Sequence, residues 1–168
     1  MIRGAFEYQG QKCSAMSRAY LPKSIWPMVE KKLINEVKKI KVGSPKDTSN
    51  FMNAVIDKNA FDNIVKYIDY AKNHLEAEII YGGNFDDSKG YFIDPTIILT
   101  SNPRFKTMVE EIFGPVLTIF VYNDEDWEQT INLVDDTSSY GLTGCIIASD
   151  ENVICLLYTS DAADDCRC

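Results

Sequence analysis

The chain has 168 residues, 45% apolar and 25% charged, with a formal net charge of −8. That length suits one domain with a real core, the acidic balance argues against nucleic acid or an acidic membrane surface as partner, and no apolar run approaches a membrane span. Cys13, Cys145, Cys155, Cys166 and Cys168 are scattered, and His74 is the only histidine, so no metal site or disulfide framework is expected and the thiols read as reduced.

The segment Met1–Phe6 lacks the apolar stretch of a signal peptide and the Arg/Ser-rich length of a transit peptide. Residues 2–11 read as the end of a helix, with Ala5, Phe6 and Tyr8 as its apolar part and Gly10 closing it. Cys13 follows, and residues 17–21 read as a strand. A thiol at such a helix-to-strand junction has a rigid support and can face a cleft, where its thiolate is a ready nucleophile. Cys13 reads equally well as a small buried hydrophobe. Lys12 and Arg18 are its neighbours in sequence, which does not aim them at it.

Ser24 is a candidate N-cap, with Pro27 in the first turn of a helix bearing Ile25, Val29, Leu33, Val37 and Ile40. Its lysines read as a solvated face. After the break at Val42–Pro45 and a polar loop, Asp57 can cap a helix whose stripe is Phe61, Ile64, Val65, Ile68 and Ala71. His74 lies at the end of that helix, where a surface role outweighs one as general base. Residues 78–81, 91–93 and 96–99 are short strands, with Gly82-Gly83 as a turn. Val116 to Tyr122 is the strongest strand. Asp124 or Asp126 caps a helix with Trp127, Ile131 and Val134, and Thr143 to Ala148 reads as another buried strand. Strands alternating with helices predict an α/β domain with a largely parallel sheet flanked by helices.

Three blocks, in order, carry a resemblance: Gly10-Gln11-Lys12-Cys13-Ser14-Ala15 with Ser17-Arg18, then Glu110-Glu111-Ile112-Phe113-Gly114-Pro115, then Ser139-Tyr140-Gly141-Leu142-Thr143-Gly144. Together they resemble the aldehyde dehydrogenase superfamily, with the match strongest to its 1-pyrroline-5-carboxylate (glutamate semialdehyde) dehydrogenase branch. The resemblance spans roughly residues 2 to 150. It implies the catalytic domain of that fold and NAD-dependent oxidation of a small aldehyde, glutamate γ-semialdehyde in proline catabolism. Cys13 matches the nucleophile. Glu111 matches the residue that accepts hydrogen bonds from the nicotinamide ribose, and Phe113 the one packed on the nicotinamide ring. Ser14 could bind a substrate carboxylate. The family also implies a mitochondrial matrix location in a eukaryote and homo-oligomeric full-length relatives.

The family's glycine-rich dinucleotide turn, its general-base Glu and the Asn of its oxyanion hole have no counterpart in these residues. Residues 1–150 are therefore read as a partial catalytic domain truncated at both ends, expected to be nearly inactive alone. Residues 151–168 are read as a divergent tail, with 158–168 not packed on the domain. Two other classes remain: a cysteine hydrolase pairing Cys13 with His74, and a non-catalytic binding or structural fragment.

Overall fold

The computed structural model describes residues 1–160, with side chains described through Cys155. The expectation for the end of the tail falls on residues 161–168, outside the described ones.

A four-stranded sheet organises the chain. Its strands are β1 (Arg18–Pro22), β2 (Ala77–Tyr81), β5 (Thr96–Thr100) and β6 (Val116–Tyr122), in the order β1-β6-β5-β2. β6 lies parallel to both β1 and β5, with Arg18 opposite Thr118 and Thr96 opposite Val116. β2 runs antiparallel to β5 at the far side. A separate two-stranded ribbon joins β3 (Phe85–Asp86) and β4 (Phe92–Ile93). The sheet is thus mixed and mostly parallel, as the alternation of elements predicts.

Side-chain alternation feeds two cores. Ile97, Leu117 and Ile119 join Ala5, Phe6, Leu33, Val37 and Met52 on one face. Those residues come from α1 (Ile2–Phe6), α2 (Trp26–Val37) and the segment before α3. Ile98, Val116, Tyr20 and Phe120 point to the other face, against Phe61, Ile64 and Ile68 of α3 (Lys58–Lys72) and against Phe105 and Met108 at α4 (Lys106–Val109). β6 is buried on both faces for most of its length, which explains its nearly continuous run of β-branched and aromatic residues.

Asp57 caps α3 as expected, its side chain accepting from the Ala60 N–H at 2.8 Å. The other helix starts have no side-chain cap bond. Ile25, not Ser24, occupies the N-cap of α2. Ser24 instead donates its hydroxyl to Asp124, whose second oxygen accepts from the Ser24 N–H. Asp126 stands at the N-cap of α5 (Trp127–Asp136) without a side-chain cap bond, and accepts from Asn123. In each case the polar side chain bonds a neighbouring residue rather than the helix end.

Two further expectations are corrected. The opening helix stops at Phe6, and Tyr8, Gln9 and Gly10 all take left-handed backbone conformations. Tyr8 is 65% exposed and belongs to no apolar stripe. Thr143–Ala148 forms no strand, and only Ile146 and Ala148 in it are even half-buried. β-propensity expresses packing against cross-strand neighbours, and this segment has no paired neighbour. A further helix, α6 (Glu151–Ser160), follows where no pattern was read.

Candidate active site

The candidate residues lie on two loops at one edge of the sheet. β1 and β6 are parallel, so the segments entering them arrive at the same edge. The first loop carries Cys13 and the second carries Glu111 and Phe113.

Cys13 and Ser14 are the central residues of a turn closed by the Ala15 N–H donating to the Lys12 carbonyl at 3.0 Å. The turn is anchored behind by Met16 N–H to the Gly4 carbonyl at 2.9 Å. Both side chains are exposed, so Cys13 is not a buried hydrophobe. Its cationic neighbours are engaged with other groups. Lys12 pairs with Glu7 at 2.6 Å, and Arg18 donates to the Met108 carbonyl at 3.1 Å. The hydrogen bonds from Lys12 and Arg3 hold the Glu7 carboxyl below its ordinary value.

The second loop alternates outward and inward. Glu111 is exposed, Ile112 is buried, and Phe113 is 40% exposed with a left-handed backbone, φ 57°. Glu110 lies just before it, bonded by the Tyr67 hydroxyl at 2.6 Å. That bond, then burial, pushes the Tyr67 phenol up to about 12.

The two loops touch through glycines. A Cβ built on Gly10 would lie 2.2 Å from the Gly114 carbonyl oxygen. Tyr8, Gln9, Gly10 and Phe113 supply four of the six left-handed residues among the described ones. Strained backbone of this kind persists only where its surroundings over-determine it. Two glutamines do so here, and sequence reasoning passed over both as site residues. The buried Gln9 donates to the Ala54 carbonyl at 3.2 Å and accepts from the Asn53 N–H at 3.0 Å. Gln11 accepts from the Ile56 N–H at 3.0 Å. The available signal was a Gln on each side of a Gly, which says nothing about partners some 45 residues away.

His74 stands apart from these loops. It precedes β2, whose start pairs with the end of β5, so it lies at the opposite edge of the sheet. It is also on the far side from β1, three interstrand spacings or roughly 14 Å away. There it packs on Tyr70 and Phe105, with ring centroids 5.2 Å away in each case. This topology does not bring it to Cys13 as a base. Among the described residues no cluster of His, Cys, Asp and Glu could hold a metal.

A model of the aldehyde dehydrogenase family matches residues 1–159. The chain belongs to the aldehyde dehydrogenase family. The match runs past the three sequence blocks and takes in most of α6. Among curated relatives, the mitochondrial delta-1-pyrroline-5-carboxylate dehydrogenase of Dictyostelium discoideum is 56% identical over 148 residues, 88% of this chain and 26% of the relative. That of Danio rerio is 51% identical over 154 residues, covering 91% and 28%.

Among solved aldehyde dehydrogenases, the delta-pyrroline-5-carboxylate dehydrogenase of Mycobacterium tuberculosis bound with NAD superposes with TM-score 0.85 at 41% identity. The superposition covers 95% of this chain and 28% of that one. The betaine aldehyde dehydrogenase of Staphylococcus aureus with NAD+ gives 0.85 at 34% identity, covering 94% and 31%. The fold is therefore that of aldehyde dehydrogenases. The chain spans about a quarter of the length of the curated relatives it matches.

Proposed function

We propose that this chain carries the nucleophile and the nicotinamide-side residues of an NAD-dependent dehydrogenase for glutamate γ-semialdehyde. The observation that supports this most is the direct abutment of the Cys13 and Glu111–Phe113 loops at Gly10 and Gly114, in a member of this family. The names of the relatives carry the substrate and, for the Dictyostelium and Danio proteins, a mitochondrial location.

In this reading the Cys13 thiolate adds to the aldehyde carbon, forming a C–S bond while the carbonyl oxygen takes the negative charge. The Cys13 N–H serves as one donor to that oxygen. NAD, when bound, would supply the acceptor for the hydride that leaves the same carbon. Water then cleaves the resulting thioester, releasing the carboxylate and regenerating the thiolate. The exposed Glu111 accepts from the ribose hydroxyls, and the exposed ring of Phe113 meets the nicotinamide. Ser14, beside Cys13 in the turn, donates to the carboxylate of an acidic aldehyde.

The addition step needs no cofactor, so it can be tested on the chain by itself. Glutamate γ-semialdehyde should slow iodoacetamide labelling of Cys13 and leave Cys145 unaffected, and a neutral aldehyde of similar length should protect less. Equal labelling of Cys13 with and without aldehyde would refute the nucleophile assignment.

A further inference from the structure

The segment entering Glu111 is held residue by residue by four different parts of the chain. The Thr107 hydroxyl accepts from Thr118 of β6 at 2.8 Å. The Met108 carbonyl accepts from Arg18 of β1 at 3.1 Å, and the Val109 carbonyl from Ser138 beyond α5 at 2.7 Å. The Glu110 carboxylate accepts from Tyr67 of α3 at 2.6 Å. Met108 and Val109 are the last residues of a four-residue helix, where carbonyls lack intrahelical donors, so the two side chains meet a real need.

Glu110 and Glu111 are adjacent carboxylates, and either could in principle accept from a sugar diol. Their surroundings separate them. Glu110 has the Tyr67 hydroxyl, and the Lys106 ammonium lies 4.0 Å from the same oxygen. That ammonium also sits over the rings of Tyr67 and Tyr70, at 5.1 and 5.4 Å, which fixes it above α3. Glu110 itself is extended, with ψ 146°, so the next side chain turns the other way, and Glu111 is exposed at the edge that also carries Cys13.

We propose that Tyr67 is a positioning residue for Glu111: by binding Glu110 back onto α3, it leaves Glu111 as the carboxylate presented to the ribose diol of the coenzyme. The proposal rests on the dehydrogenase reading above. It adds a residue from α3 to the site, and a reason why the second of the two glutamates faces the ligand.

The probe is nicotinamide mononucleotide, followed by saturation-transfer NMR on the 168-residue chain. Tyr67→Phe and Glu110→Ala should each raise its Kd by about tenfold, the usual worth of a hydrogen bond to a charged group at its lower end. Glu110→Gln keeps an acceptor for Tyr67 and should stay within about twofold of the parent. Cys13 alkylation rates should be unchanged in all three, a result that general loosening of the fold would not give. If Tyr67→Phe folds poorly, Glu110→Ala carries the test. A Kd unmoved by both, in a protein where Glu111→Gln weakens binding, overturns the positioning role and leaves the dehydrogenase reading intact. Parallel losses in nucleotide binding and Cys13 reactivity also overturn it. No binding of the mononucleotide by the parent chain overturns the coenzyme assignment and this proposal together.

Discussion

Gly10 and Gly114 meet backbone to backbone, 104 positions apart in the chain. Gly10 has φ +66°, and a methyl group there would lie 2.2 Å from the Gly114 oxygen and 2.9 Å from that of Ala5. This contact makes the thiol turn and the Glu111–Phe113 loop one structural unit.

Gly10→Ala should therefore be costly, because the neighbours it meets are backbone and its φ is left-handed. A loss of at least about 2 kcal/mol is expected, from the conformational strain and the clash together. Gly114→Ala meets the Ile64 side chain, 2.5 Å away at its Cδ1, which can shift, so its cost should be smaller. Gly141→Ala meets nothing within 4 Å and should be close to neutral. Urea denaturation of the three variants checks the order, and a Gly10→Ala protein as stable as Gly141→Ala would contradict it.

Cys13 should be the fastest thiol toward iodoacetamide at neutral pH when compared with Cys145. Both are exposed, so accessibility does not separate them, and the test isolates activation by the turn. Mass-spectrometric labelling that finds Cys145 faster would remove the case for a nucleophile. Cys155, Cys166 and Cys168 are left out of the comparison, since they fall in the stretch read as a tail.

Tyr67 should titrate well above the ordinary phenol value. Its phenol is raised from 10.0 to about 12, first by the bond to Glu110 and then by burial. A group raised on folding stabilises fully below its unfolded pKa, and that contribution fades as pH rises through the folded value. The stability difference between the parent and Tyr67→Phe should thus be constant up to about pH 10 and shrink towards pH 12. Ultraviolet titration of tyrosinate, with Tyr67→Phe and Glu110→Ala as references, identifies the late-titrating group.

The 168-residue polypeptide assayed alone with semialdehyde and NAD should form almost no NADH. It contains no G-x-G-x-x-G sequence, and the resemblance finds in it no match for the general base or the oxyanion-hole Asn. One missing oxyanion donor costs about 10²–10³ in rate, and a missing general base about 10²–10⁴. Turnover near that of a full-length relative would show that these 168 residues suffice.

Much of the fold was legible because local pattern and burial agree. The stripe Phe61, Ile64, Ile68, Ala71 repeats with the helical period and is buried on α3. The strand Val116–Tyr122 is hydrophobic apart from Thr118 because both faces of β6 are covered. The Gly-Gln-Lys-Cys and Glu-Glu-Ile-Phe-Gly-Pro blocks were likewise readable, since short contiguous motifs need no knowledge of distant partners.

The sequence by itself determined most of the element types, the family and the candidates Cys13, Ser14, Glu111 and Phe113. Tertiary structure alone decided the rest, because the remaining interactions pair residues far apart in the chain. Thr143–Ala148 has strand composition but no strand beside it, and stays unpaired. Ser24 has the right chemistry for a cap, but Asp124 takes it. Three successive left-handed residues before Cys13 are held by hydrogen bonds between the Gln9 and Gln11 side chains and the backbone of residues 53–56. Tyr67 belongs to no motif in the sequence, and only folding brings its hydroxyl to Glu110. A hydrogen bond between residues 43 positions apart leaves no periodicity in either segment, so no reading of local sequence can find it.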